Sequence, residues 1–580
     1  MIRDSQSAIK TGPRDFDPIS LEIMWSRLIN ITEECWTTIR RTAFSLIIGE
    51  VQDFGCELLD AAGNSLAHSP RSMPVFNLAL PKAVKALLRA FPQDSLRQGD
   101  VLITNDPWLC AGHLFDIAIV TPVFRGSELV GAVGSVAHCS DIGGTRDSLS
   151  VREIYEEGLQ IPPMKFYRAG QLNDDLMAII RSNVRKPEMV LGDLQAQYSA
   201  NAVGVTRLLG FMQEYDLEDL TPLAQVIQGR SERAMRDAIY RVPDGSYRHS
   251  IEFDSFGTSF VITANITVGG EELHVDWEAP PQVDRGGINS TLNYTASHTV
   301  YALKCILTPD IPSNAGCYAP IHVTAPEGSL LNCTYPAGVN IRTNTGWFTG
   351  PAIFGCLAEA LPDRVQAFTG LPIIIGAYGR HRDETYNDYM FQGGGQGGGA
   401  HGDGKNGLLY PTSAGNTSVE MFETRTPLLV EEKSYLPDSG GTGSYRGGLA
   451  QRVRVRKLYN DGEPVLLSLI SYNMIHPIPG LFGGRAGRLP DLQVRQNGAL
   501  LTGKEVRGIA ELKHSDDYAV VDLPGGSGYG NPQERSIARI QADLDGGYLT
   551  RQGLAAYGCE VGKTGRVIRR ASQKPKEDSP

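Results

Sequence analysis

The sequence predicts a mixed α+β protein of several subdomains: an N-terminal α/β part built on hairpins, a helical middle, and a glycine-rich, largely β C-terminal region. Three observations carry this. Short β-branched runs face each other across turn residues between positions 53 and 138. Charged and apolar residues interleave at helical spacing from 150 to 240. Beyond about residue 385 glycine becomes frequent, and apolar runs such as VRVRKLY, PVLLSLIS and YAVVDL are separated by Gly, Pro and Asp.

Each element follows in order. Ser20 to Arg41 carries Leu21, Met24, Leu28, Ile31, Cys35 and Ile39 at spacings of three and four, which predicts an amphipathic helix. Asp53 to Leu59 reads as a strand, turned by Asp60 to Asn64 into a second strand over Ser65 to His68; the entrance of this hairpin carries Glu50 and Asp53. A helix is expected over Leu78 to Phe91, and Asp100 to Thr104 leads as a strand into the most informative stretch. There, Ile117 to Phe124 and Glu128 to Val136 are apolar runs joined by Arg125-Gly126-Ser127, a hairpin connection. Pro243-Asp244-Gly245 closes the helical block. Residues 246 to 290 then alternate like antiparallel strands, with helices expected over 291 to 307 and 347 to 361. The expected boundaries are a flexible N-terminus (1–17), a metal-site domain with a helical segment (18–242), an α+β middle domain (243–385), a glycine-rich mainly β domain (386–562) and a disordered tail (563–580).

Composition narrows the function classes. A chain of 580 residues that is 41% hydrophobic can bury substantial cores. Its net charge is −11, and Lys and Arg cluster only in the last twenty residues, so nucleic acid is not expected as a partner. The nine cysteines are odd in number and form no CxxC pair, which argues against a disulfide framework and against a thiolate zinc site. With no signal-like N-terminus and no apolar run of membrane-spanning length, a soluble cytoplasmic protein without membrane contact is expected.

The hairpin joins two His-Asp pairs, His113 with Asp116 and His138 with Asp141. Folding back at Gly126 brings the two loops to one sheet edge, where two imidazoles and one or two carboxylates converge. Such a nitrogen and oxygen set suits a divalent ion, Zn²⁺ or Mn²⁺ or Fe²⁺, whose open position polarises a carbonyl or activates water. The bland alternative is that the histidines satisfy loop backbone and Asp116 caps the strand. Cys110 and Cys139 lack a flanking cation and read as buried loop residues. The run FQGGGQGGGAHGDGKNG resembles a phosphate loop, but Asn406 stands at the hydroxyl position and no helix follows, which argues against nucleotide binding. Its glycines, with those of 440–448 and 525–530, permit close backbone approach in sheet crossings or around a substrate. His381, His401 and His476 are isolated, and no histidine stands at a telling distance from Asp438-Ser439 for a serine-hydrolase triad.

The motifs SLIIGEVQDFGCELLD, NDPWLCAGHLFD, AHCSDIGG, EEGLQIPPMK, GDLQAQ, PSNAGCYAPIHVTAPEGSLLN, NTSVEMFE, DSGGTGSYRGG and GGSGYGNPQER, in that order, resemble the hydantoinase B/oxoprolinase family nearly end to end. The resemblance implies a divalent metal held by Glu50, His113, Asp116 and His138, with Asp141 orienting a ligand or acting as a base. It also implies an A-type partner that binds ATP and phosphorylates a carbonyl or enol oxygen, most simply in a heterotetramer. The implied activity is that of the β subunit of an ATP-dependent cyclic amidase acting on a hydantoin, 5-oxoproline or lactam; the alternative is an ATP-dependent ketone carboxylase. Gly49-Glu50-Val51 lacks the basic residues common at this point in the family, which bears on anion binding near Glu50.

Overall fold

The computed structural model describes residues 16–570, apart from 471 and 507. Helix α1 (Pro18–Thr42) starts where the Asp17 carboxylate accepts hydrogen bonds from the Ile19 and Ser20 amides, each 3.1 Å. Its buried face contains the six residues picked out by the helical spacing. After the single turn α2 (Leu46–Gly49), the chain builds a seven-stranded sheet from β1 (Phe54–Asp60), β2 (Ser65–His68), β3 (Val101–Thr104), β4 (Asp116–Arg125), β5 (Glu128–His138), β6 (Met164–Arg168) and β7 (Gln171–Leu172). The order is β2-β1-β5-β4-β3-β6-β7, and every neighbouring pair is antiparallel.

This sheet is covered on both faces. Val133 and Ala137 of β5 join the core formed with α1 and α5 (Pro187–Glu214), whereas Ala132 and Val136 join the core under α3 (Pro74–Ala90). Period-two alternation thus sends successive apolar side chains to opposite helical layers, which explains why β4 and β5 read as continuous apolar runs. The helical block begins later than its composition suggested. Residues 164–172 form β6 and β7, with Ile103 of β3 paired to Met164, before α4 (Asp174–Asn183), α5 and α6 (Thr221–Tyr240).

In the middle region β8 (Gly245–Ser255), β9 (Thr258–Gly269) and β10 (Glu272–Glu278) are antiparallel, and β11 (Ile321–Thr324) adds parallel to β10. Four helices, α7 (Leu292–Leu307), α8 (Ala315–Tyr318), α9 (Thr343–Gly346) and α10 (Thr349–Leu357), accompany this sheet. The C-terminal region contains β12 (Ile373–His381), β13 (Glu384–Gln392), β14 (Leu428–Tyr435), β15 (Gln451–Lys457), β16 (Val465–Ile470), β17 (Asp491–Gln496), β18 (Ala499–Thr502), β19 (Ile509–Leu512) and β20 (Tyr518–Asp522). They form two sheets, β13-β12-β16-β19 and β14-β15-β20-β17-β18, around one shared core.

Two boundaries shift. A division at 385/386 would cut the β12–β13 hairpin, whose two strands pair along their full nine residues; glycine enrichment starts only after β13, so composition placed the border too late. Within the expected tail, Val567–Arg569 pairs with Cys559–Val561, and only residues from 571 onward lie outside the described part. Residues 1–15 of the expected flexible N-terminus likewise lie outside it.

The glycine runs form layers of extended chain held largely by backbone, with side-chain bonds such as that from the Gly397 amide to Oγ1 of Thr369. Gly395 N–H donates to the Pro524 carbonyl at 3.0 Å, Gly398 to Ser527 at 2.9 Å, Gly448 to Gln396 at 2.7 Å and Gly526 to Gly448 at 3.0 Å. A Cβ on Gly397 would stand 1.8 Å from the Ala367 oxygen, and one on Gly448 2.0 Å from the Lys405 oxygen. Glycine is therefore required for backbone-to-backbone approach here. The amides of the phosphate-loop-like run are turned to neighbouring strands of chain.

Candidate metal centre

Strand register assembles the site. In the β4–β5 hairpin Asp116 is directly paired with His138, 22 residues later. The β1–β5 pairing sets Phe54 opposite Ala137, and the His138 amide donates to the Asp53 carbonyl at 3.0 Å. Residues 53, 116 and 138 thus meet at one end of three adjacent strands. His113 reaches them from the loop before β4. That loop is pinned by Asn105, whose Nδ2 donates to the carbonyls of Leu114 (2.7 Å) and Leu159 (2.9 Å) while its Oδ1 accepts from the Ile161 amide. At Gly112, φ is +90°, and a Cβ would lie 2.8 Å from Cβ of Tyr294 and 2.9 Å from Cδ of Arg342, so only glycine fits this turn.

One ligand-type atom from each of His113, Asp116 and His138 lies within 4.8 Å of the others. Nε2 of His113 is 2.9 Å and Nδ1 of His138 is 3.2 Å from Oδ1 of Asp116; Nδ1 of His138 is also 3.9 Å from Oδ2 of Asp53. The protonation pattern makes this arrangement demanding. Nδ1 of His113 faces the Asn340 carbonyl at 2.9 Å, and a carbonyl only accepts, so Nδ1 carries the hydrogen and Nε2 the lone pair. Burial pushes the His113 imidazole down to about 4, which keeps it neutral. Burial alone would raise the Asp116 carboxyl, but the positive charge of Arg342 and the hydrogen bond from His138 hold it below the usual carboxylate range. A neutral nitrogen and an anionic oxygen therefore point lone pairs at one another at 2.9 Å, and Nε2 has no hydrogen-bond partner. A divalent cation between such donors removes that repulsion.

Asp53 strengthens the fit. It is buried, its Oδ1 is unpartnered, and burial pushes its carboxyl up to about 6. Arg342 braces the set by donating to Oδ2 of Asp116 (2.5 Å) and to the Ala111 carbonyl (2.7 Å), with its guanidinium 4.0 Å from the Tyr294 ring centre. Glu157 accepts from the amides of Val339 (2.5 Å) and Asn340 (2.7 Å), fixing the segment whose carbonyl orients His113.

The structure brings His113, Asp116 and His138 together but not all of the expected set. Glu50 caps the end of α2 and does not line the cavity, whereas Asp53, three residues on, does. Asp141 also lies outside the lining. Its carboxylate holds a loop by accepting from the Gly143, Arg185 and Lys186 amides and from the Arg185 guanidinium. Burial pushes the thiols of Cys110 and Cys139 up, so neither is a ready nucleophile, and all nine cysteines are unpaired. Arg342 and Glu157 were not singled out from sequence. Glu157 lies in the EEGLQIPPMK motif, but nothing in the spacing marks Arg342, whose role depends on a chain crossing more than 200 residues away.

The metal-type cluster opens into a cavity of about 890 Å³ with aromatic walls from Phe76, Tyr294, Trp347, Tyr378, Tyr389 and Tyr472. His298 adds an orphaned Nε2; burial pushes this imidazole down to about 3, leaving it a neutral group. Among the described residues no helix is long and apolar enough to cross a membrane.

An antiparallel hairpin scaffold with a buried His-Asp-His cluster lining an aromatic cavity defines a candidate metal centre. Comparison with known proteins agrees with this architecture. Residues 17–532 match the family model described as hydantoinase B/oxoprolinase, and the chain belongs to that family. It is 30% identical to the B-type subunit of a putative D-/L-hydantoinase from Pseudomonas sp. (strain NS671), covering 96% of this chain and 97% of that one. It is 28% identical to the beta subunit of the caprolactamase from Pseudomonas jessenii, over 95% and 97%. The crystal structure of the ATP-dependent caprolactamase from Pseudomonas jessenii superposes with a TM-score of 0.86 at 26% identity, over 95% of this chain and 98% of the other.

Proposed function

We propose that this chain is the metal-containing β subunit of an ATP-dependent cyclic amidase, acting on a lactam, hydantoin or related ring after an A-type partner has phosphorylated it, the two chains forming a heterotetramer. The observation that carries this reading is the buried His113–Asp116–His138 cluster, with Asp53 beside it, lining an aromatic-walled cavity. The names of the relatives support it: one is the B-type chain of a hydantoinase, another the beta chain of a caprolactamase.

His113, Asp116 and His138 would hold a divalent ion, Zn²⁺ or Mn²⁺ or Fe²⁺, with Asp53 as the fourth protein ligand in the place expected for Glu50. Such an ion supplies Lewis acidity toward a carbonyl or phosphoryl oxygen. The chain's own residues do the positioning. The Asn340 carbonyl keeps His113 in the tautomer that presents Nε2, and Arg342 holds Asp116 ionised and fixed in direction. The aromatic walls sandwich a flat ring and keep bulk water from the activated ester. His298 offers its neutral Nε2 as an acceptor for a ring N–H.

The test is reconstitution with the A-type partner, ATP and a divalent metal. ATP-dependent ring opening of a lactam or hydantoin is expected. Incorporation of labelled bicarbonate into a ketone without ring opening would replace this reading with the carboxylase one.

A further inference from the structure

Two dissimilar walls enclose the metal-centre cavity. His113, Asp116, His138 and Asp53 form the polar one. The other comes from the C-terminal region, where β12 and β13 set Ile374 opposite Phe391 and Gly376 opposite Tyr389. Period-two alternation puts Ile374 and Tyr378 of β12 on one sheet face with Tyr389 and Phe391 of β13, and all four line the cavity. Gly376 lets the Tyr378 ring lie down along its own strand, since a Cβ at 376 would stand 2.4 Å from the Tyr378 hydroxyl oxygen.

This second wall presents ring faces and aliphatic surface without free charge. The Tyr378 and Tyr389 hydroxyls are hydrogen-bonded to each other, and the Tyr472 hydroxyl donates to the Pro372 carbonyl. Among the described residues that line the cavity, Arg342 is the only Lys or Arg, and its guanidinium is engaged by Asp116, the Ala111 carbonyl and the Tyr294 ring. Arg146 stacks on Tyr378, its guanidinium 5.1 Å from the ring centre, but is not part of the lining. With the reacting oxygen of a bound ring at the metal-type cluster, the rest of the ring meets the apolar wall. A carboxylate carried there would leave water without a cation of its own, in a cavity that already holds the carboxylates of Asp53 and Asp116. An aryl or alkyl group in the same place gains from leaving water.

We infer that the β12–β13 wall selects substrates by their ring substituent, accepting an uncharged aryl or alkyl group and rejecting a carboxylate, with Ile374 and Phe391 as specificity-determining residues. The inference rests on the amidase reading and narrows it: among the rings that reading allows, 5-oxoproline is excluded.

Two lactams on the same five-membered ring test it, 5-phenylpyrrolidin-2-one and 5-oxoproline, which carries a carboxylate in place of the phenyl group. In the complex reconstituted with the A-type partner, ATP and a divalent metal, kcat/KM for the phenyl lactam should exceed that for 5-oxoproline at least about a hundredfold. Ile374→Lys, which sets a cation on the wall, should lower the phenyl lactam and raise 5-oxoproline, narrowing the ratio at least about tenfold; a merely structural defect would lower both. The partner also meets the ring, so affinity is read apart from turnover. Titration calorimetry on the same complex without ATP should show saturable binding of the phenyl lactam, at least about tenfold weaker binding of 5-oxoproline, and a reversal of that order by Ile374→Lys. Equal or better use of 5-oxoproline, or a ratio that Ile374→Lys leaves unmoved, would overturn the proposal while the amidase reading stands, because a ring is still opened. Entry of labelled bicarbonate into a ketone with neither lactam opened would overturn the amidase reading instead, and the two affinities then decide the wall. If Ile374→Lys does not fold, the affinities of the native complex decide alone: preference for the phenyl lactam supports the wall, and equal or tighter binding of 5-oxoproline overturns it.

Discussion

The metal-centre hairpin and the glycine layers both join segments far apart in the chain, by opposite means. At the hairpin, backbone pairing supplies the register and side chains do the work: Asp116 faces His138 because β4 and β5 are in step. In the glycine layers the side chains are deleted so that backbones can touch, as where Gly448 donates to Gln396 while its missing Cβ would strike the Lys405 oxygen. The first construction should tolerate changes in shape but not in chemistry, and the second the reverse.

The largest expected effect is at the hairpin. His138→Ala or His113→Ala should abolish stoichiometric metal by elemental analysis and lower activity by about a hundredfold or more, with the fold retained by circular dichroism. Full metal retention would break the comparison at its first term.

The glycine layers should respond in stability. Gly397→Ala forces a Cβ to within 1.8 Å of the Ala367 oxygen and is expected to cost more than about 4 kcal/mol, whereas Gly402→Ala, with nothing within 4 Å, should stay within about 0.5 kcal/mol. Equal melting temperatures for the two would remove the close-approach argument.

Asp53→Asn against Glu50→Gln decides the fourth ligand. Metal affinity should fall about 10–100-fold in the first and stay unchanged in the second. The opposite order would return Glu50 to the set. Arg342→Lys keeps the charge but not the two-pronged reach to Asp116 and Ala111, and should weaken the metal by about tenfold.

The smallest effect is a pH-dependent one. Burial pushes the Glu157 carboxyl up to about 8 from an unfolded value of 4.5. Its ionisation therefore costs stability as pH rises from 4.5 through 8. Glu157→Gln keeps an acceptor for the Val339 and Asn340 amides without that cost. The melting-temperature gain should be a few degrees at pH 8 and vanish below about pH 4.5, as read by calorimetry across that range.

Much of the first sheet was legible because apolar runs and turn residues are local signals: α1, the β1–β2 hairpin and the β4–β5 hairpin fall within a few residues of their expected places. His113, Asp116 and His138 were legible because one hairpin carries all three. Spacing placed both Glu50 and Asp53 at the entrance of β1 and the family resemblance picked Glu50; only the β1–β5 register places Asp53 beside His138. Asp141 looked functional by its spacing from His138, yet the crossing of Arg185 draws it into a loop clamp.

By itself the sequence determined the hairpins, the helical block, the family and three members of the candidate metal centre, because periodicity, turn chemistry and motif order are written in contiguous residues. Tertiary structure alone decided the rest. Arg342 reaching Asp116, Glu157 setting the Asn340 carbonyl and glycines meeting carbonyls of distant segments are contacts across scores to hundreds of residues. Their energies come from burial and from partner geometry that no local pattern encodes.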